Sequence, residues 1–483
     1  MYNWFKYREF IKELMNNQNK TNIPILQDVY KYNDYERLLR PVLEVINNNY
    51  NMPITKMRHE LFCQSELKKV IDTFINKTQI TPGLIIDFGT RKTRDTIICG
   101  LRQEYIYENN EFKRKELPIE EDTIFDLASS SKPFTAIAIL YLQEMKKIDV
   151  FDPITKYVPE CKNLGDVTIY DLLKFRVDVV TDKRVDSAKN KEEAEQILFT
   201  LHKSNKENIV NAYTDMGAMI LRYVVERVSK MPFNEFVQEI IFKPAKMEDT
   251  YLNVPKDKLY RVANENYSTI IDKDGIAHTR FDNIPGTPHD QKARAIGELE
   301  GIAPGHAGYF STKKDMINFA RALIEEKIIS KKYLYSMSET ETGFKDEDLT
   351  TRFYGSLVYL KQLDPNYLSV YPPLSGKAFM SPGFAGTQLV VDPLNDLTLF
   401  IGSPRLHNRI YQIHPNQEKN IKINEFDKKT FILPDGNEKI ISSDYTKRKE
   451  YLVTIALDLA IQYKLLELLK EQKKEMHLVR ELN

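Results

Sequence analysis

No run in this chain of 483 residues is apolar for the roughly 20 positions a membrane-spanning helix needs, so no membrane segment is expected. An excess of charge of either sign is also lacking: 69 Lys and Arg balance 69 Asp and Glu. That balance leaves no electrostatic footprint for nucleic acid, and no basic amphipathic stretch argues for a lipid surface. Cysteine is scarce. Cys63, Cys99 and Cys161 are odd in number, far apart and without C-x-x-C spacing, so they read as buried free thiols. The 8 histidines form no H-E-x-x-H, which argues against a zinc hydrolase, and neither metal nor cofactor is expected. Low-complexity tracts are absent, which excludes collagen-like and compositionally disordered classes. Near the N-terminus Lys6, Arg8, Glu9, Lys12 and Glu13 interrupt the apolar residues; a secretory signal core is not visible, and a cytoplasmic location is expected.

What is present is enough chain for two or three units. Residues 1–60 are charged, Asn-rich and helical in pattern, an N-terminal extension. Pro82-Gly83 opens a β-rich run, Leu84 to Phe88, with Thr96 to Cys99 as its hairpin partner. The period then changes. Phe134, Ile137, Ala138, Tyr141, Leu142 and Met145 share one helical face, and further helical patterns reach residue 245. Residues 255–305 are irregular and rich in Pro and Gly, the mark of functional loops. Strands return at Leu389–Val391 and Leu397–Ile401, and a helix carrying Leu452, Ile455, Ala456, Leu459 and Tyr463 on one face closes the chain. Strands, helices, then strands predict an α+β fold: an antiparallel sheet flanked by helices, with an inserted all-helical subdomain. The expected division is 61–127 and 301–483 for the two parts of the α/β sandwich and 128–300 for the helical subdomain with its active-site loops.

Ser129-Ser130-Ser131-Lys132 is an S-x-x-K tetrad at the start of the 134–145 helix. The i, i+3 spacing puts the Ser129 hydroxyl and the Lys132 ammonium on one face. A helix N-terminus adds unpaired N–H groups and partial positive charge, both suited to an oxyanion on a serine-bound carbonyl. The plain alternative is a serine cap followed by a chance lysine; the surrounding residues decide between them.

Phe125-Asp126-Leu127-Ala128-Ser129-Ser130-Ser131-Lys132-Pro133-Phe134-Thr135 resembles the F-x-L-[AG]-S-x-[ST]-K-x-[FL]-T stretch of class C β-lactamases and their esterase and D,D-peptidase relatives. Met231 to Phe236 and Lys243 to Thr250 track the same superfamily's "x-P-F-x-x-F" and "K-P-L-G-M-x-D-T". The resemblance to serine β-lactamases and penicillin-binding proteins spans roughly residues 65–412 and implies a β-lactamase/transpeptidase-like fold with Ser129 as nucleophile. It matches Tyr213-Thr214-Asp215 to the family's Y-x-N or Y-x-S position, implying that Tyr213 stands near Ser129 and Lys132 and shuttles a proton. A nearby ammonium is expected to favour the phenolate. Asp215 reads both as a helix N-cap and as a partner that keeps Lys132 charged.

Ser381-Pro382-Gly383-Phe384 falls where the family has K-T-G or H-T-G, and there the pattern breaks. Ser381 replaces a cation or donor, and Pro382 removes a backbone donor that only an edge strand or bulge can spare. The resemblance still implies an oxyanion hole from the Ser129 and Phe384 N–H groups, with Asp215, Ser381 and Gly383 as substrate contacts. Losing the cation at 381 predicts weak capture of a substrate carboxylate, with Arg405 the candidate to compensate. The expected function is a serine hydrolase, an esterase or amidase acting on a small neutral ester or amide. The alternatives are acyl transfer by the same serine and a degenerate binding protein without turnover.

Overall fold

Alternating burial sets the two faces of a central sheet. In β1 (Gly83–Gly89), Leu84, Ile86 and Phe88 join one core while Ile85 joins the other. The computed structural model describes residues 35–49, 51–63, 65–205, 212–282, 284–298, 302–340, 353–360 and 373–481. Residues 1–34 of the expected N-terminal extension lie outside that set.

Five further strands complete the sheet: β2 (Arg94–Glu108), β3 (Glu111–Pro118), β4 (Phe379–Pro382), β5 (Gln388–Asp392) and β6 (Leu397–Gly402). Their order is β4-β5-β6-β1-β2-β3 with every neighbour antiparallel. The β1–β2 hairpin pairs Leu84 with Cys99 and Asp87 with Thr96, as the sequence leads one to expect. The chain closes the sheet by returning after about 260 residues, so β4 ends up as an edge. Pro382 sits on that edge, where its missing N–H leaves no ladder bond unmade.

On one face Leu84, Ile86, Phe88, Val390, Leu399 and Ile401 pack against Val42, Ile46 and Leu61 of N-terminal helices and against the C-terminal helix (Tyr445–Glu481). Leu452, Ala456, Leu459 and Tyr463 are buried there, each large apolar side chain contributing roughly 1.5–3 kcal/mol. On the other face Ile85, Leu389, Val391 and Phe400 share a core with the helix Lys313–Ile324, which lies against β6 and β1, and with the helices Lys132–Glu144 and Asp215–Ser229, which pack on each other. The site lies where this helical layer meets the edge strand β4.

Two expectations need correcting. Only Cys161 is buried; Cys63 ends a helix at the surface, past its last buried residue Leu61, and Cys99 is half-covered on β2. The 255–305 stretch is not wholly irregular: Thr269–Ile271 pairs with Ala277–Thr279 and, in parallel, with Ile410–Ile413. Strands this short leave little periodic signal, and their partner is remote in sequence. No helix among the described residues is long and apolar enough to cross a membrane.

Candidate active site

Ser129 belongs to a 3₁₀ turn, Ala128–Ser131, and the α-helix begins only at Lys132. In a 3₁₀ turn side chains at i and i+3 eclipse, which is how Lys132 Nζ comes within 2.8 Å of Ser129 Oγ. Pro133 occupies the helix's first turn, where no N–H is needed. Ala128 has φ of +43°, a left-handed conformation uncommon for a residue with a Cβ. Asp126 holds it there. One carboxylate oxygen accepts from the Ala128 N–H and the other from the His289 N–H, both at 2.8 Å. Burial pushes the Asp126 carboxyl up to about 6 despite these bonds.

Lys132 is 1% exposed and donates a second bond, to Asp215 Oδ1, at 2.8 Å. Asp215 is the first residue of its helix and not the cap; Thr214 caps it, its hydroxyl accepting from the Met216 N–H. Released from capping, the Asp215 carboxylate bridges Lys132 and Lys292, whose Nζ is 3.1 Å away. Lys292 continues to Asp290 at 3.2 Å, and Asp290 to His306 Nε2 at 2.9 Å. Burial works to raise Asp215, but Lys132, His306 and Lys292 together hold it well below the usual carboxylate range. Asp215, Asp290 and His306 bring ligand atoms within 4.8 Å of one another, a set able to hold a metal ion. The Lys292 ammonium already supplies positive charge between the two carboxylates.

Tyr213 donates to Ser129 Oγ at 3.1 Å, with its ring stacked on Phe175 and 4.9 Å below Lys132 Nζ. The ammonium does not win at this phenol: burial, reinforced by Asp215, pushes it well above the usual tyrosine value. Phe175 is thus a wall for Tyr213.

The departure at 381–383 is structural. Ser381 is buried and donates to the Ser129 carbonyl at 3.3 Å, while its neighbours Pro382 and Gly383 line the cavity. Ser130 Oγ donates back to the Ser381 carbonyl at 2.9 Å. A Cβ on Gly383 would stand 2.1 Å from Thr387 Oγ1 and 2.4 Å from the Leu127 carbonyl, so only glycine allows this approach. Pro382, Gly383 and Phe384 then line the cavity beside Ser129, and the Phe384 N–H makes no backbone hydrogen bond among the described residues.

The cavity measures about 530 Å³. Arg405 enters its wall with the guanidinium 4.9 Å from the Phe384 ring centre, donating to the Phe384 carbonyl at 3.1 Å. Lys292, Arg280 and Lys449 line it too. The loss of a cation at 381 therefore does not leave the site poor in positive charge. Sequence reading missed Lys292, Arg280 and Lys449, because none lies in a motif near the tetrad.

A family model described as Beta-lactamase matches residues 103–424, and the chain belongs to that family. The N-acetylmuramyl-L-alanine amidase of Bacillus subtilis (strain 168) is 23% identical over 340 residues, covering 65% of this chain and 75% of the relative. A class C β-lactamase from Rhodobacter sphaeroides shares the fold with a TM-score of 0.51 at 16% identity, over 72% of this chain and 95% of the other. EstCE1, a hydrolase with promiscuous acyltransferase activity, superposes with a TM-score of 0.56 at 13% identity, over 80% and 97%. The fold is thus the α+β, β-lactamase/transpeptidase-like one, and the family is one of hydrolases.

Proposed function

We propose that this protein is a serine hydrolase cleaving a small ester or amide through an acyl-enzyme on Ser129. The observation that carries the reading is the convergence on Ser129 Oγ of Lys132 Nζ at 2.8 Å and Tyr213 OH at 3.1 Å. The Lys132 ammonium, anchored by Asp215, stabilises negative charge as it develops at Oγ. Tyr213 rests as a neutral phenol, since burial disfavours its anion, and a neutral phenol moves protons by relay. As Oγ bonds the carbonyl carbon, its proton passes to the phenol oxygen. The phenol's own proton goes to the departing oxygen or nitrogen as that bond breaks. Water then attacks the acyl carbon, gives a proton to the phenol oxygen, and the phenol's proton returns to Oγ, freeing the acid. The Ser129 and Phe384 N–H groups are assigned to the carbonyl oxygen in both steps. An alcohol or amine in place of water would give acyl transfer with the same atoms. The name of the Bacillus subtilis relative, an amidase, agrees with the amide half of the reading.

The test is turnover of p-nitrophenyl acetate and butyrate by wild type and Ser129→Ala. Release of p-nitrophenolate that depends on Ser129 is expected. Equal release from the two proteins overturns the reading in favour of a binding protein.

A further inference from the structure

We propose that Lys292 is a positioning residue: it fixes the Asp215 carboxylate and, through Asp215, holds the Lys132 ammonium on Ser129. This role rests on the hydrolase reading above and deepens it at the same site.

A carboxylate held at one oxygen can still turn about its Cβ–Cγ bond. Asp215 is held at both, by side chains from different elements: Oδ1 by Lys132 at 2.8 Å and Oδ2 by Lys292 at 3.1 Å. Those two contacts together fix its orientation. Lys132 pairs with no other carboxylate among the described residues, so where Asp215 points decides where this ammonium stands relative to Ser129.

Lys292 is itself built into place. It belongs to the short helix Gln291–Ala293, capped by Asp290, whose Oδ1 accepts from the Ala293 N–H at 2.9 Å. The same oxygen accepts from His306 Nε2, which must carry the hydrogen because a carboxylate has none to give. Oδ2 of Asp290 then meets the Lys292 ammonium at 3.2 Å. His306 is wholly buried, so the far end of this chain is anchored in the interior. Its near end is tied to the nucleophile, since Asp126 accepts from both the His289 and the Ala128 N–H groups.

The arrangement also sorts charge. Asp215 and Asp290 bring oxygens within 4.8 Å of each other, where two part-buried carboxylates repel. Lys292 bridges them. Burial disfavours its ammonium, but Asp290 and Asp215 outweigh burial and favour the charged form. Asp186, the third carboxylate lining the cavity, is paired with Arg184 at 2.6 Å. Without Lys292, one oxygen of Asp215 is loose and Asp290 pushes on it. The carboxylate then turns, and the buried Lys132 ammonium follows its counter-charge away from Ser129.

Crystal structures and steady-state kinetics of wild type, Lys292→Met and Lys292→Arg make the test, with p-nitrophenyl acetate as substrate. In Lys292→Met the contact between Lys132 Nζ and Ser129 Oγ is expected to open beyond about 3.5 Å. With it kcat should fall about tenfold to a hundredfold while KM stays nearly constant, the cost of a small misplacement at the reacting atom. Lys292→Arg keeps a cation able to reach both carboxylates, and should retain the contact and most of kcat. A contact unchanged in Lys292→Met, or a kcat equal to that of wild type, overturns the assigned role. So does a loss confined to KM, which would make Lys292 a substrate contact, and so does an equal loss in the two variants. If wild type releases no p-nitrophenolate, the hydrolase reading falls, and the Lys132–Ser129 contact alone decides whether Lys292 positions the pair.

Discussion

The Asp215 carboxylate lies 2.8 Å from the Lys132 ammonium, which donates in turn to Ser129. The lysine is almost wholly buried, and that carboxylate is the counter-charge to which it donates. Replacing it by Asp215→Asn leaves a buried ammonium facing a neutral amide and is expected to cost about 3 kcal/mol. The sign with pH follows from the depressed carboxyl. Its contribution is fully present above the unfolded value of about 3.9 and is lost as pH falls through the folded value. Urea unfolding from pH 3 to 8 should therefore show a constant deficit for the variant above pH 5 that shrinks towards pH 3.

Tyr213 and Lys132 should separate in kinetics from groups that merely bind. Tyr213→Phe removes the proton relay and should lower kcat by about 10²–10⁴-fold, with KM little changed. Lys132→Met removes the ammonium at Oγ and should cost about 10²–10³-fold in kcat. Steady-state kinetics with p-nitrophenyl esters measure both. A loss confined to KM would contradict the assigned roles.

Gly383 is set against the backbone that precedes Ser129. Gly383→Ala drives a methyl into Thr387 Oγ1 and the Leu127 carbonyl and should destabilise by about 1–3 kcal/mol. Because Gly383 positions the Phe384 N–H, kcat should fall as well. Thermal unfolding and turnover, measured together, check this.

Much of the site was legible because it is local or patterned. S-x-x-K is one turn of chain, and Tyr213 and Asp215 stand at the mouth of one strongly periodic helix. Pro382 at an edge was readable too, since proline excludes a central strand. What escaped reading was the tertiary convergence. Lys449 belongs to a helix whose apolar stripe announces packing, and nothing in its spacing says that this lysine lines the same cavity as Ser129, over 300 residues earlier in sequence. Lys292 sits in the short helix Gln291–Ala293, and Arg280 follows the strand Ala277–Thr279, whose partner Thr269–Ile271 pairs in parallel with the remote Ile410–Ile413. The sign of the shift at Tyr213 also escaped, because burial, which sequence does not report, outweighs a neighbouring ammonium.

Lys449 carries a penalty that can be measured without any ligand. Its folded pKa, down to about 7, lies below the unfolded value of about 10.4, so between these values the unfolded chain binds more protons. Wild-type stability should therefore climb from pH 7 to pH 10. Lys449→Met should be more stable by about 1–4 kcal/mol at pH 6 and lose that advantage near pH 10. Denaturant melts at the two pH values give the answer.

The most direct test of the central claim is covalent. Wild type is incubated with a fluorophosphonate, and the adduct is located by peptide mass spectrometry, with Ser129→Ala treated alongside. The proposed mechanism predicts one adduct per chain, on Ser129, and none on the variant. An unlabelled wild type, or labelling on another residue that persists in Ser129→Ala, would contradict it.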